Sequence, residues 1–169
     1  MNVFKIYTDG SCTPQKGGKS QNRCGGWAYY LYNDKYKQES GYSFDTTINR
    51  MELQAVIKAL EFITSRLEDG TSNNFYKFYT DSKYVLRCLE SIEGLYPQTY
   101  TRNKDLITRM KTLLSKIPNK YKFYHVTSHA TNEYNNEVDR LARQELGNAI
   151  RELKRIERSV PSINEIYGQ

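Results

Sequence analysis

The feature that most constrains the fold is a tetrapeptide that occurs twice, as Tyr-Thr-Asp-Gly at residues 7–10 and as Tyr-Thr-Asp-Ser at residues 79–82. Each copy closes an apolar and aromatic run with the length of a buried strand. A helical pattern lies between the runs, so a crossover would make the strands parallel and place both aspartates at one edge of the sheet. Asp9 and Asp81 would then need a cation to offset their repulsion. The repeat therefore predicts an α/β fold with a metal site.

The chain of 169 residues has the length of one domain and carries a formal net charge of +6, which favours a polyanionic partner. Its three cysteines, Cys12, Cys24 and Cys88, are odd in number and form no Cys-x-x-Cys pair. This pattern argues against a disulfide framework or a zinc site and favours reduced thiols. Because we find neither a signal peptide nor an apolar run of membrane-spanning length, we predict a soluble, cytoplasmic protein without a membrane partner.

The hydrophobic periodicity predicts three strands, a helix, a strand, two helices, a strand and a final helix. This order is typical of a mixed sheet with helices on its faces. The predicted strands are residues 3–8, 27–32, 36–44, 75–80 and 121–126, and apolar helical stripes cover residues 53–67, 106–117 and 138–146. A short helix is expected at residues 82–91, and the last helix is expected to begin near Asn135. The polar stretch at residues 11–26 is predicted to be a loop.

Two further acids lie near predicted helix starts. Glu52 opens the first helix and Asp139 lies in the first turns of the last one. The pattern Asn49-x-x-Glu52 is also that of a capping box, and the helix dipole favours acids at helix starts. Asp9 and Asp81 likewise have an ordinary use as turn formers after strands. What favours a metal site is that all four carboxylates could reach the same end of the sheet.

Four motifs, in order, resemble those of the type 1 ribonuclease H family. They are Thr-Asp-Gly-Ser-Cys at 8–12, Asn-Arg-Met-Glu-Leu at 49–53, Thr-Asp-Ser at 80–82, and His129 followed ten positions later by Asp-Arg-Leu-Ala-Arg at 139–143. The resemblance runs from about residue 3 to about residue 146. It implies a ribonuclease H-like fold, with three antiparallel strands and then two parallel ones in a five-stranded mixed sheet flanked by helices. It also implies endonucleolytic hydrolysis of the RNA strand of RNA–DNA hybrids, leaving 5′-phosphate.

The resemblance further implies the residues of the active site. Asp9, Glu52, Asp81 and Asp139 match the family's metal-binding carboxylates, which hold two Mg²⁺ ions, with Mn²⁺ as a substitute. In such a site one ion activates the attacking water and the other stabilises the leaving oxygen, so no side-chain nucleophile is required. His129 matches the family's loop histidine and is a candidate for proton transfer or product release.

A second set of residues matches positions that contact the hybrid in the family. Those contacts aim at ribose 2′-hydroxyls and at a phosphate of the DNA strand, so cleavage is expected to be largely independent of sequence. The set is Gly10, Ser11, Cys12, Thr47, Asn49, Ser82 and Lys83. The chain departs from the family pattern at Ile48, where a polar contact is common, and in the short link at residues 91–101, where many members carry a basic protrusion.

The resemblance divides the chain into a catalytic domain, residues 1–146, and a basic helical extension or tail, residues 147–169. We expect a monomer with no obligatory protein partner. From Arg102 to Lys122 there are seven basic residues and one acid, a net charge of +6 (seven minus one). This segment, the tail, or the basic loop between Lys16 and Arg23 could grip the hybrid.

Three alternatives stay open at this point. A non-catalytic module would bind the hybrid without cleaving it, although all four carboxylates are present. The chain could also be the ribonuclease H part of a reverse transcriptase. A transposase-like enzyme would keep the carboxylate site and act on another nucleic acid.

Overall fold

A computed structural model describes residues 1–14, 23–67, 73–95, 102–127 and 132–167. These residues form strands and helices in the predicted order, followed by one short helix that the sequence pattern does not predict. The elements are β1 (Asn2–Cys12), β2 (Cys24–Tyr32), β3 (Tyr36–Phe44), α1 (Ile48–Ser65), β4 (Asn74–Thr80), α2 (Lys83–Ile92), α3 (Lys104–Leu114), β5 (Tyr121–His125), α4 (Glu133–Ser159) and α5 (Ile163–Tyr167).

The strands form one mixed sheet in the order β3-β2-β1-β4-β5. The pairs β1–β2 and β2–β3 are antiparallel, whereas β4 runs parallel to both β1 and β5. Because α1 connects the first three strands to β4 as a crossover, β1 and β4 become parallel neighbours. The expected five-stranded sheet, with three antiparallel strands and then two parallel ones, is confirmed.

Helices cover both faces of the sheet. α1 packs on β1 and β2, and α3 packs on α1, which buries most of the predicted apolar stripes of both helices. On the opposite face α4 packs on β1, β2 and β3, where Val138 and Ala142 join a cluster with Tyr7 and Ala28. The main core therefore lies between the sheet and α1, and α4 closes a smaller one.

The prediction of a loop over residues 11–26 is wrong at both ends. β1 continues to Cys12 and β2 begins at Cys24, so the ladder between the two strands extends into the predicted loop. The glycines of this segment indicated a loop, yet close packing requires one of them. A β-carbon added to Gly26 would lie 2.2 Å from the carbonyl oxygen of Ala142, so glycine lets α4 close on β2.

The start of α1 also differs from the prediction. Thr47 caps the helix, because its hydroxyl oxygen accepts a hydrogen bond from the backbone nitrogen of Arg50 at 3.2 Å. The alternative interpretation of Asn49-x-x-Glu52 as a capping box therefore does not apply, since Asn49 already lies in the first turn. This shift releases the Glu52 side chain from a capping role.

α4 begins at Glu133, two residues before the predicted start. Its cap is Asn132, whose side-chain oxygen accepts a hydrogen bond from the backbone nitrogen of Tyr134 at 2.9 Å. The helix continues without a break to Ser159, across the predicted division after residue 146. In the part of the chain that the structure describes, we find no helix with both the length and the apolar character needed to cross a membrane.

Candidate active site

Carboxylates from three elements meet at the carboxyl-terminal edge of β1 and β4. Asp9 lies in β1, Asp81 directly follows β4, and Glu52 lies in the first turns of α1. Each side chain offers an oxygen within 4.8 Å of the others. The parallel register pairs Tyr7 with Tyr79, so the aspartates two residues later occupy matching positions on neighbouring strands. The structure thus brings these side chains together at the edge that the repeated tetrapeptide predicts, although β1 does not end at Asp9.

Gly10 sets the distance between β1 and α1. A β-carbon added to Gly10 would lie 2.6 Å from the backbone nitrogen of Glu52 and 2.8 Å from the carbonyl carbon of Met51. Only glycine therefore allows the first turns of α1 to approach the strand this closely. The backbone nitrogen of Gly10 also donates a hydrogen bond to Oδ1 of Asp9 at 2.9 Å. Gly10 thereby positions both the carboxylate of the strand and that of the helix.

Burial makes two of these carboxylates resist ionisation. Asp9 and Glu52 are only 5% and 7% exposed to solvent. Burial, followed by repulsion from Asp81 and Asp139, raises the pKa of Asp9 to about 8. Burial also raises the pKa of Glu52 well above its ordinary value, with repulsion from Asp9 and Asp81 as the next causes. The cluster therefore favours a bound proton or a bound cation.

The donor atoms of the cluster fit a hard divalent cation. They are carboxylate oxygens, which Mg²⁺ and Mn²⁺ prefer over the nitrogen and sulfur ligands of softer metals. Among the described residues, Glu52 has a buried side-chain oxygen, Oε2, without a hydrogen-bond partner. A buried polar atom without a partner carries a desolvation cost that a coordinated cation would offset. The residues present could thus hold a metal ion.

Asp139 lies beside Asp9, at the rim of the three-carboxylate cluster. It belongs to the second turn of α4, and its negative charge contributes to the raised pKa of Asp9. One carboxylate oxygen of Asp139 lies 3.2 Å from Nε of Arg143, and the Asp139 side chain is 44% exposed. Of the four carboxylates expected at the site, three form the cluster and the fourth stands next to it on the solvent side.

Two residues predicted to contact substrate have a structural use. The hydroxyl oxygens of Thr47 and Ser82 cap α1 and α2, where they accept hydrogen bonds from the backbone nitrogens of Arg50 and Val85 at 3.2 Å each. Loss of such a cap typically costs about 1 kcal/mol of stability. A substitution at either position would therefore disturb a helix start as well as any substrate contact.

The other predicted contact residues lie along the same edge. Gly10, Ser11 and Cys12 belong to β1 and are half-buried. Asn49 is half-buried in the first turn of α1, and Lys83 is exposed as the first residue of α2. Contact between these residues and a nucleic acid stays a prediction.

Two predictions fall outside the described residues. His129, the predicted loop histidine, lies in the segment 128–131 between β5 and α4. Lys16 and Lys19 of the predicted basic loop lie in the segment 15–22. Arg23, at the end of that loop, is described, and its guanidinium donates hydrogen bonds to the backbone oxygen of Thr13 at 3.2 and 3.0 Å.

Sequence reasoning missed Arg50, which joins α1 to α3. Its guanidinium donates hydrogen bonds to both carboxylate oxygens of Asp105, at 3.0 and 2.8 Å, and to the side-chain oxygen of Asn103 at 3.2 Å. The hydrogen bonds from Arg50 lower the pKa of Asp105 to about 2. Arg50 belongs to the sequence motif around Glu52, but Asp105 follows 55 positions later in the chain. Only the tertiary structure therefore reveals that Arg50 and Asp105 form a pair. The pair ties the helix that carries Glu52 to the start of α3.

Comparison with known proteins adds similarity in sequence and in fold. The RNase H family model matches residues 1–147. The ribonuclease H of Acetivibrio thermocellus is 34% identical over 154 residues, covering 86% of this chain and 96% of that protein. The ribonuclease H of Thermoanaerobacter sp. is 35% identical over 159 residues, covering 86% of this chain and 91% of that protein. The matched region contains all the elements that carry Asp9, Glu52 and Asp81.

A solved structure of LC11-RNase H1 in complex with RNA/DNA hybrid has the same fold. The TM-score is 0.66 at 20% identity, and the match covers 87% of this chain and 99% of that chain. At this level of identity the likeness establishes the arrangement of strands and helices.

Proposed function

The chain belongs to the RNase H family, and we propose that it is an endonuclease that hydrolyses the RNA strand of RNA–DNA hybrids, leaving 5′-phosphate. The observation that carries the proposal is the convergence of Asp9, Glu52 and Asp81, each with an oxygen within 4.8 Å of the others. Such a cluster repels the phosphates of a nucleic acid unless cations neutralise it. The net charge of +6 favours the approach of a polyanion to the rest of the surface.

We propose Mg²⁺ as the ion of this site, with Mn²⁺ as a substitute. Asp9, Glu52 and Asp81 would hold the metal, and Asp139 would complete a two-ion site from the rim. When bound, divalent ions supply an activated water nucleophile and charge stabilisation for the leaving 3′-oxygen. Asp9 and Glu52 must lose their protons to act as ligands, so metal binding is expected to release protons near neutral pH.

The protein residues themselves contribute position and charge. Burial, together with the close approach of the α1 backbone to Gly10, holds the Asp9 and Glu52 carboxylates at a fixed place on the sheet edge. Asp139, held at one oxygen by Arg143, is half-exposed and can accept a hydrogen bond from a water molecule on the substrate side. His129 is proposed to assist proton transfer or product release.

The surface around the cluster is proposed to select the hybrid. A hybrid duplex exposes ribose hydroxyls in a wide minor groove, and such groups are recognised by backbone and polar groups rather than by base contacts. The proposed contacts are Gly10, Ser11, Cys12, Asn49, Ser82 and Lys83 for the minor groove and Thr47 for a phosphate of the DNA strand. Cleavage is therefore expected to depend little on base sequence.

A cleavage assay with matched substrates tests the proposal. The protein is incubated with end-labelled hybrid, double-stranded RNA, double-stranded DNA and each single strand, with Mg²⁺ or with a chelator. We expect Mg²⁺-dependent cleavage of the RNA strand in the hybrid alone. Hybrid binding without cleavage would favour the non-catalytic alternative, and cleavage of double-stranded DNA would favour the transposase-like one. We also propose that the protein is a monomer, which light scattering in solution would test.

A further inference from the structure

Three lysines form a row across the sheet, on the face that carries Asp9. The strand register pairs Lys5 of β1 with Lys77 of β4, and Lys77 with Lys122 of β5. Paired residues point to the same face, so the Cα atoms of neighbouring lysines lie about 4.8 Å apart. Within the described ranges, these lysines form no ion pair with an acid. The row is a concentrated positive charge.

Such a row is unfavourable for folding, because like charges at directly opposite positions destabilise a sheet. A lysine on an edge strand has an ordinary use, since it discourages pairing with a second sheet. This use accounts for Lys122 in the edge strand β5, but Lys5 and Lys77 lie in the interior strands β1 and β4. An anionic ligand would offset the repulsion among all three lysines.

A row of tyrosines lies beside the lysines, one step nearer to the carboxylate cluster. The same register aligns Tyr7, Tyr79 and Tyr124. Their rings stack with centroid distances of 4.7 Å from Tyr7 to Tyr79 and 5.2 Å from Tyr79 to Tyr124. Tyr7 is buried under α4, whereas Tyr79 and Tyr124 are half-buried. The ammonium group of Lys122 lies 5.2 Å from the centroid of the Tyr124 ring.

We give the name lysine–tyrosine face to the surface formed by Lys5, Lys77, Lys122, Tyr79 and Tyr124. Among the described helices, α4 packs on β1, β2 and β3, whereas α1, α2 and α3 contribute to the core on the other side of the sheet. Lys122 is exposed, and the other members of the face are half-buried. In the described part of the chain, this face is therefore accessible to a ligand.

We propose that the lysine–tyrosine face binds single-stranded nucleic acid, with phosphates on the lysines and a base against the ring of Tyr124, the outermost of the stacked tyrosines. Cationic grooves combined with aromatic side chains are how proteins hold single strands without sequence preference. A single strand fits better than a duplex, because only unpaired bases offer their faces to aromatic rings. An anionic membrane would use the lysines and leave the stacked tyrosines without a role.

The position of the face relates it to the proposed catalytic site. Lys5 precedes Asp9 by four residues on the same face of β1, a distance of about 13 Å along a strand. An unpaired RNA or DNA tail of a hybrid bound at the carboxylates could therefore reach the lysines. This binding surface goes beyond the proposed hydrolysis, and occupation of the face requires neither a metal ion nor cleavage.

Fluorescence anisotropy with a labelled single-stranded oligonucleotide, in low salt with a chelator, tests the proposal. Lys77→Gln/Lys122→Gln is expected to weaken binding about tenfold and to reduce the slope of log affinity against log salt by about 1.4, roughly 0.7 for each lost phosphate contact. Tyr124→Leu is expected to weaken binding to oligoadenylate about fivefold or more, because a stacking partner is lost. Each variant should keep the parent's circular dichroism spectrum.

The matched control is Lys35→Gln/Arg87→Gln, which removes the same charge from exposed residues in the β2–β3 turn and in α2. The control should bind the oligonucleotide more tightly than Lys77→Gln/Lys122→Gln. Equal affinity and salt slope in the two double variants would overturn the proposal, as would a parent protein that binds no single strand. Lysine-dependent binding to anionic vesicles, without lysine-dependent binding to the oligonucleotide, would assign the face to a membrane surface instead. If Tyr124→Leu does not fold, the two double variants still decide the outcome.

Discussion

Gly10 and Glu52 lie so close that a β-carbon added to Gly10 would stand 2.6 Å from the backbone nitrogen of Glu52. Gly10→Ala should therefore push the first turns of α1 away from β1 and separate the carboxylates of Asp9 and Glu52. We expect a loss of stability of about 1–3 kcal/mol, as for other overpacked sites. Hybrid cleavage should fall much further than the unfolded fraction explains, which kinetics and thermal unfolding measured together would show.

Gly147 provides the matched control for that substitution. A β-carbon there would meet only the Arg151 side chain, at 3.4 Å or more, within the interior of α4. Gly147→Ala is expected to raise stability by about 0.5–1 kcal/mol, because alanine favours a helix more than glycine does. Activity should stay at the parent level. A Gly10→Ala protein as active as Gly147→Ala would refute the close approach as a requirement of the site.

Asp9→Asn and Asp81→Asn should each abolish cleavage of the hybrid in Mg²⁺, because each removes a proposed metal ligand. With a chelator present, Asp9→Asn should also raise the midpoint of thermal unfolding near neutral pH, because neutral asparagine avoids the cost of burying an ionisable carboxyl among acidic groups. The expected gain is about 2–4 °C for each kcal/mol recovered. Either variant cleaving at a near-parental rate would contradict the metal assignment.

The raised pKa of Asp9 gives the metal-free protein a specific dependence on pH. Between the ordinary pKa of 3.8 and the folded pKa of about 8, the folded protein keeps a proton that the unfolded chain has released. The stability from this group is therefore full below the ordinary value and is lost as pH rises towards about 8. Urea unfolding in chelator at several pH values would measure this decline. In Asp9→Asn this decline in stability should be smaller. If stability instead rose with pH across this window in the parent but not in Asp9→Asn, the raised pKa of Asp9 would be disproved.

His129→Ala should slow turnover by about 100-fold without ending it, the low end of general acid–base effects. The reason is that the proposed metal site, rather than the histidine, generates the nucleophile. His125→Ala is the control, because His125 is exposed at the end of β5 and has no proposed role. Complete inactivity of His129→Ala with normal metal binding would show a more direct part in the reaction.

The segment from Arg102 to Lys122, which we call the α3 segment, is expected to grip the hybrid through its basic residues. Four of these residues are exposed, namely Lys104, Arg109, Lys111 and Lys116. Arg109 also forms an ion pair, with its Nε 3.8 Å from Oε1 of Glu61. Replacing the four with glutamine should weaken binding of all hybrids alike and flatten the salt dependence, by roughly 0.7–0.9 in slope for each phosphate contact.

A second variant makes the same four-charge change in α4, by replacing with glutamine the residues Arg151, Lys154, Arg155 and Arg158. If the salt slope of the α3 variant equals that of the parent, the α3 segment does not touch the duplex. A reduced slope in the α4 variant would then place the grip on the C-terminal extension. If both variants keep the parental slope, the predicted basic loop with Lys16 and Lys19 would be the region that grips the hybrid.

Local patterns in the sequence were sufficient to predict the order of the strands and helices and the five-stranded mixed sheet. Buried strands and amphipathic helices each leave a periodic signal within a few residues, and the repeated tetrapeptide placed Asp9 and Asp81 at one edge. The same local signals misplaced the start of α1 and the length of β1. Thr47 rather than Asn49 caps the helix. Gly26 lies in a strand, where the absence of a side chain lets α4 pack against β2.

Relationships between distant residues were decided by the tertiary structure alone. The ion pair between Arg50 and Asp105 depends on how α1 and α3 pack. The position of Asp139 at the rim of the cluster depends on how α4 packs on the sheet. The alignment of Lys5 with Lys77 depends on strand register. The raised pKa of Asp9 likewise follows from burial and from charges on other elements. A sequence encodes such distances only through the complete fold, because the residues involved lie far apart along the chain and meet only when the elements assemble.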